Sequence, residues 1–426
     1  MSSTSAAIGA QSSGGVRAVT AAVIGNVLEW YDFSVYGFLA TIVAQQFFPS
    51  SNEVASLLAT FAAFGLGFLA RPLGGIVIGR MADTRGRKPA LMLTLFLMAV
   101  GTVGVGLIPG AATIGIAAPI LLVLCRMLQG FSAGGEWGGS TAFIVEWAPD
   151  GRRGYYGSFQ QASVAGGLLL GSAVAALCST LIPAEAMTAW GWRVPFLLGG
   201  LLIPVGLYMR ANIDDSPAFR AAQAAPKRSE GPSDAMLGVQ AFGFTILWTV
   251  AYYLMLSYMP TFTQRYAGLG RTEALWSNTI GLVVLLLAIP AMGALSDRIG
   301  RKPLLLACCA GFAILSWPLF SLMVGGGGFT TVLIVQLIFG LLIASFSGPG
   351  PAAIAEIFPT ASRSTWMSTG YSLSVAIFGG FAPFIATWLI GATGSPLSPT
   401  WYVAAAAVVS FLVIWRLRET AFARLA

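Results

Sequence analysis

Five ionisable side chains sit deep inside stretches that otherwise carry no charge: Glu29, Asp32, Arg71, Arg126 and Glu136. An Asp, Lys or Arg at the centre of a bilayer-spanning helix costs about 2.5–3.5 kcal/mol on the insertion scale, so such residues are paired, face water or serve a function. The sequence contains no histidine, the one side chain that ordinarily titrates near neutral pH. Proton chemistry therefore falls to carboxylates, and Asp32, Glu29 and Glu136 are the candidate carriers. Arg71 and Arg126 are the candidates to hold a substrate carboxylate, because a guanidinium binds that group through two parallel N–H bonds. At 1.5 Å per residue, Asp32 lies about 21 Å and Arg126 about 17 Å above the inner ends of their spans, with Arg71 and Glu136 each at roughly 14–15 Å. These depths predict two pairs, Asp32 with Arg126 and Arg71 with Glu136, leaving Glu29 as a lone acid one turn from Asp32.

The elements that must position these residues follow from composition. Of 426 residues, 56% are hydrophobic and 9% charged, against roughly a quarter charged in an ordinary soluble domain. A soluble enzyme is excluded. Apolar runs of membrane-spanning length fall at 18–45, 54–80, 89–109, 115–147, 155–182, 190–210, 236–265, 273–297, 302–325, 329–357, 364–393 and 399–417. The predicted fold is an all-α membrane protein with twelve transmembrane helices in two six-helix bundles related by pseudo-two-fold symmetry. Its parts are a disordered tail at 1–17, a bundle at 18–210, a polar loop at 211–235, a second bundle at 236–417 and a tail at 418–426. Alternate connections carry 18 of the 23 Lys and Arg on one side, which puts both termini in the cytoplasm. That bias accounts for the net charge of +7 without invoking nucleic acid. The four cysteines lie in apolar stretches and read as core residues, and no metal site is expected.

The chain repeats itself. Gly79-Arg-Met-Ala-Asp83-Thr-Arg85-Gly86-Arg87-Lys88-Pro89 returns 214 positions later as Gly293-Ala-Leu-Ser-Asp297-Arg298-Ile-Gly300-Arg301-Lys302-Pro303. Glu146-x-x-Pro149-x-x-x-Arg153 returns 210 positions later as Glu356-x-x-Pro359-x-x-x-Arg363. Parallel repeats of six helices place a site near the midplane between the halves. Asp83 and Asp297 stand where helices run out of the membrane, positioned to cap a facing helix N-terminus or to pair with arginines. The second half supplies hydroxyls and amides in place of buried charge, among them Tyr252, Tyr253, Tyr258, Asn278 and Tyr371, and helix 5 adds Gln160 and Gln161. Gly348-Pro349-Gly350-Pro351 predicts a break, and a gating hinge, in helix 10.

Twelve helices, the duplicated G-x-x-x-D-x-x-G-R-K loop and the long central loop resemble the major facilitator superfamily over the whole chain. Thr84 stands where the first loop copy usually has a basic residue. Glu29-Trp-Tyr-Asp-Phe33, Arg71-Pro-Leu-Gly-Gly75, Arg126-x-x-Gln-Gly130, Trp190-Gly-Trp-Arg-Val-Pro-Phe196 and Asp215-Ser-Pro217 are similar to the metabolite–proton symporter family. The resemblance implies a transporter of the bacterial inner membrane, acting as a monomer without a cofactor. Its implied partners are the lipid bilayer, protons and a small carboxylate, closest to the citrate and tricarboxylate branch. A zwitterionic osmolyte or an aromatic or shikimate-type acid remains the alternative, and sodium coupling stays open. A drug antiporter fits less well, since helix 5 lacks the proline of the antiporter pattern. The resemblance further implies an intracellular ionic latch of Asp83, Arg87, Glu146, Arg153, Asp297, Arg301, Glu356 and Arg363. It likens Asp32 and Arg126 to the proton site of sugar–proton symporters, and Tyr31, Gln160, Gln161, Tyr258, Asn278 and Tyr371 complete the expected substrate contacts.

Overall fold

The computed structural model describes residues 25–85, 87–149, 151–200, 204, 232–358 and 363–423. Among these residues the chain forms twelve helical elements, several of them interrupted. Element α1 comprises residues 25–38 and Ala40–Phe47, and α2 comprises Glu53–Leu69 and Arg71–Arg85. Arg87–Leu107 is α3; α4 runs Ala117–Ser132, a 3-10 turn Ala133–Gly135, then Glu136–Trp147. Arg153–Leu181 is α5, and residues 193–200 belong to α6. In the second half, α7 is Pro232–Tyr252, a π-turn Tyr253–Tyr258 and Met259–Tyr266, followed by α8, Arg271–Ile299, and α9, Arg301–Val324. Gly328–Ser347 and Gly350–Ile357 make α10; Arg363–Ser374, the π-turn Val375–Gly379 and Ala382–Thr393 make α11; Pro399–Arg416 is α12. The expected tail at 1–17 and central loop at 211–235 lie outside the described residues. So do the side chains of Asp83, Arg87, Glu136 and Arg363.

Local chemistry sets these boundaries. Asn52 caps α2 by accepting from the Val54 and Ala55 amides at 2.9 and 3.2 Å, with Glu53 in the first turn, where a negative charge suits the helix dipole. Gly300 turns the chain between α8 and α9 at φ 99°, a conformation that favours glycine. Helix 10 does break at Gly348-Pro349, as the Gly-Pro run predicts. Outward faces are apolar, as at Ile314, Trp317 and Leu322 on α9, each more than half exposed, which is how a surface meets lipid tails. Eight of the helical stretches are long and apolar enough to cross a membrane on their own.

Glycine lets the elements that carry the buried charges come close. A Cβ on Gly130 of α4 would overlap the Gly67 carbonyl of α2, and one on Gly74 of α2 would overlap the Phe131 carbonyl. The two backbones therefore cross in contact, the small-residue packing common between membrane helices. Arg71 and Arg126 flank that crossing, and both project toward α1. On the other side of α1, a Cβ on Gly167 of α5 would strike the backbone at Val27 and Tyr31. Helix α1 is thus held tightly against α5, with its Glu29-to-Phe33 stretch turned to the two arginines.

Candidate functional site

Arg71 Nη2 bonds Glu29 Oε1 at 3.1 Å, both side chains buried. Glu29 is therefore not the lone acid expected; the partner expected for Arg71, Glu136, has its side chain outside the described residues, so that pairing is not described. Rotation of α1 turns Glu29 toward α2. The Arg71 guanidinium also lies 5.7 Å from the Trp30 ring centre, 5.1 Å from Phe33 and 4.9 Å from Phe68.

Arg126 is fully buried and stands over Phe33, Tyr36 and Phe64 at 5.0, 4.5 and 5.0 Å. Phe33 thus receives both guanidiniums, a cation–π arrangement that holds two positive charges close together. Only Nη1 of Arg126 has a hydrogen-bond partner, Gln129 Oε1 at 2.8 Å; Nε and Nη2 have none. Gln129 Nε2 in turn donates to Thr102 Oγ1 on α3 at 2.8 Å. Asp32 Oδ1 and Thr102 Cγ2 lie beside one another against Gly199 of α6. The expected pair is therefore one of proximity: among the described residues no direct bond joins Asp32 to Arg126, and Gln129 and Thr102 stand between them.

The second half closes over this cluster with aromatic rings. Tyr253 packs edge-on against Phe68 at 5.1 Å and near Trp30 at 6.0 Å, and Tyr252 meets Trp30 at 6.4 Å. Trp137 of α4 stacks on Tyr371 of α11, with centres 3.6 Å apart and planes 9° from parallel. Trp248 packs on both and donates to Ser347 Oγ, at the break in α10, at 2.9 Å. The π-turns of α7 and α11 lie at this contact, where a Cβ on Gly379 would overlap the Tyr253 ring. Such turns widen a helix by one residue and cluster at functional sites. Phe33, Phe68, Trp137, Gln129 and Thr102 were not among the expected site residues. The sequence signal for the first four is adjacency to the charged motifs; Thr102 lies in an uncharged run and has none.

Other expected contacts are engaged elsewhere. The Tyr31 hydroxyl donates to the Pro195 carbonyl of α6 at 2.6 Å, pinning α1 to α6. Asn278 donates to Ser172 Oγ at 3.2 Å, and Ser172 meets Thr279 at 2.8 Å, so these side chains tie α8 to α5. Tyr258 accepts from Thr387 at 3.3 Å. Gln161 donates to Gln160 Oε1 at 2.9 Å, leaving Gln160 Nε2 without a partner. Among the described residues no three Cys, Asp or Glu side chains converge as a metal site requires.

At the end bearing the repeated loop, the second copy is a bridge between halves. Asp297 accepts from the Gly154 and Tyr155 amides at 2.8 and 2.9 Å, so it caps the N-terminus of α5 in the opposite bundle. Arg301 bonds Asp297 at 2.7 Å and Glu356 at 3.4 Å, and Arg153 of α5 reaches Glu356 at 3.5 Å. Thr420 donates to Glu356 at 2.6 Å and Arg153 to the Ala423 carbonyl at 3.1 Å, which draws the segment after α12 into the cluster. Glu419 there caps α9 through the Arg301 and Lys302 amides, both at 2.9 Å. Burial works against its charge, but four backbone N–H donors outweigh it and hold the carboxyl below the usual range. Glu146 lies exposed near the end of α4. At the opposite end Arg265 of α7 pairs with Glu53 of α2.

Residues 18–235 and 234–426 each match the model of the sugar (and other) transporter family. The chain belongs to this family. It is a multi-pass membrane transporter of the major facilitator superfamily, not an enzyme. Among curated relatives, the citrate–proton symporter of Klebsiella pneumoniae is 38% identical over 94% of this chain and 91% of its own length. The glycine betaine/proline/ectoine/pipecolic acid transporter OusA of Dickeya dadantii is 35% identical over 95% of this chain and 83% of its own. The xylose transporter XylE of E. coli, in a partially occluded inward-open conformation, superposes with a TM-score of 0.77 at 20% identity, covering 96% of this chain and 99% of that one. That likeness is one of fold. In the sugar (and other) transporter fold of this chain, the buried arginines and the aromatic lid lie between the two halves, with a bridge at each end.

Proposed function

We propose that the chain is a symporter that moves a small organic carboxylate, of the citrate or dicarboxylate class, together with protons across the bacterial inner membrane, with both termini cytoplasmic. One observation carries this reading: several buried donors, two of them on Arg126, have no acceptor. Arg126 Nε and Nη2, Arg71 Nε, Gln160 Nε2 and Trp137 Nε1 have no acceptor among the described residues. Each such group costs about 1–3 kcal/mol when left unmade, and more when charged. A carboxylate brings several acceptor positions and a negative charge; a sugar's hydroxyls also accept but leave the guanidinium charge unbalanced, and a cation offers no acceptor. The citrate–proton symporter relatives agree with that chemistry.

Charge balance supplies the coupling. Among the described side chains, Glu29, Asp32, Arg71 and Arg126 cancel when all are ionised; a proton on Asp32 leaves one positive charge, which a substrate carboxylate neutralises. Carboxylate and proton therefore favour each other's entry into a site shielded from water. The cytoplasmic bridge of Asp297, Arg301, Glu356 and Arg153 opens and closes access at one face, and Glu53–Arg265 does so at the other.

A second reading rests on the rings. A zwitterion offers Arg126 the same carboxylate, and the Trp30, Tyr252 and Tyr253 rings suit its ammonium group, in keeping with the betaine transporter relatives. Purified protein in proteoliposomes, given an inward proton or sodium gradient and a panel of citrate, dicarboxylates, shikimate, glycine betaine and proline, separates the two. Proton-driven accumulation of a carboxylate is the expected result. Accumulation of betaine or proline with every carboxylate refused replaces the first reading by the second.

A further inference from the structure

The side chains between Arg126 and Asp32 have a fixed direction. Arginine only donates, so Gln129 must present Oε1 to Arg126 Nη1 and, at its other end, Nε2 to Thr102. Thr102 Oγ1 then accepts from Gln129, and its own proton is left free to turn to the neighbouring Asp32 carboxylate, which shares its contact with Gly199. Both hydrogen bonds run from the guanidinium toward the acid. Gln129 and Arg126 are fully buried, and Thr102 and Asp32 nearly so, which excludes water as a competing partner along the chain. Space is reserved for it. A Cβ on Gly101 would overlap Gln129 Cγ, and one on Gly199 of α6 would press on both Asp32 Oδ1 and Thr102 Cγ2. Around Asp32 the other groups are Tyr31 on α1 and Arg126 on α4. Tyr31 is tied to Pro195, so the Thr102 hydroxyl is the donor whose direction can change.

We infer that Gln129 and Thr102 are positioning residues that transmit substrate binding at Arg126 to the proton on Asp32. The inference rests on the proposed function, since it requires a carboxylate at Arg126 and a proton at Asp32. When a substrate carboxylate engages the guanidinium end-on, through Nη2 and Nη1 together, it takes the place of Gln129 Oε1 at Nη1. The Gln129 amide is then free to turn over in place, offering Oε1 to Thr102. Thr102 donates to Gln129 in place of Asp32, and the carboxylate, having lost its donor, takes one proton from water on the open side. Release of substrate at the other face restores the Arg126–Gln129 bond, turns the Thr102 hydroxyl back to Asp32 and returns that proton to water there. Hydrogen bonds in such a chain reinforce one another in a low-dielectric interior, so reversing one reverses the next.

Thr102→Val removes the hydroxyl at nearly constant volume, and Thr102→Ser keeps it. Proteoliposomes carrying a trapped pH-sensitive dye and supplied with radiolabelled citrate, or with glycine betaine if the panel selects it, give counterflow and substrate-evoked proton influx together. Thr102→Val is expected to keep counterflow within about threefold of the parent while proton influx and gradient-driven accumulation fall tenfold or more, and Thr102→Ser is expected to restore both. Gln129→Met removes both hydrogen bonds without adding a charge beside Arg126; it gives the same uncoupled pattern and serves should Thr102→Val fail to reconstitute. The relay is overturned if Thr102→Val or Gln129→Met stays fully coupled while Asp32→Asn is uncoupled, or if Thr102→Ser is as defective as Thr102→Val. If Asp32→Asn itself remains coupled, the underlying proton assignment fails instead.

Discussion

At the scale of residues, the two buried arginines behave differently because their neighbours differ. Arg71 has a carboxylate partner and three rings; Arg126 has three rings, one amide and two unpartnered N–H groups. Under the proposed function, Arg126 is the anion clamp and Arg71 the fixed charge beside it. Arg126→Lys keeps the charge but loses the planar fork, and hydrogen bonds to charged groups contribute about 1.5–3 kcal/mol. The apparent KM for the transported carboxylate should rise roughly 10- to 100-fold in initial-rate uptake; an unchanged KM would remove Arg126 from the substrate contacts. The five charges within spans were visible in the sequence because charge inside an apolar run is rare. Their partners were not. Glu29, Asp32 and Glu136 lie within two helical turns of one another in depth, and whether a carboxylate meets an arginine depends on rotation about the helix axis, set by contacts such as Gly167 against Val27 and Tyr31. Trp137 and Phe33 were invisible for a related reason, since an aromatic residue in a membrane span looks the same whether it faces lipid or ligand.

At the scale of elements, the long helices and the break at Gly348-Pro349 were legible from apolar length and from the Gly-Pro run. The π-turns in α7 and α11 were not, because Tyr253–Tyr258 and Val375–Gly379 contain no residue that demands an extra backbone unit. They are shaped by what packs on them, notably Tyr253 against Gly379. The repeated loop was legible as a motif, and its second copy performs both roles that the sequence suggests for Asp297, capping α5 and pairing with Arg301. Removing one partner's charge from such a buried network costs about 3–5 kcal/mol. Glu356→Gln should therefore loosen this end of the bundle pair. Ala352, buried against Gly157 one turn before Glu356, offers the readout. As a lone cysteine in a cysteine-free chain, position 352 should react several-fold faster with a membrane-impermeant thiol reagent once Glu356→Gln is added. Equal rates in the two backgrounds would show that the network does not hold the end closed.

At the scale of the whole molecule, two bundles meet through an aromatic lid over buried charge, with Glu53–Arg265 bridging one end and the Asp297–Arg301–Glu356–Arg153 network the other. Alternating access requires these bridges to open in turn, and the charge set between them decides what makes that turn possible. Its four described members cancel only while Asp32 is ionised, so the central claim is that Asp32 carries the proton that accompanies the substrate. Accumulation and counterflow measured side by side in proteoliposomes of Asp32→Asn test it most directly. The account predicts that the variant exchanges the labelled substrate across the membrane but no longer concentrates it under an imposed proton gradient. Accumulation by Asp32→Asn at the level of the parent protein would contradict it.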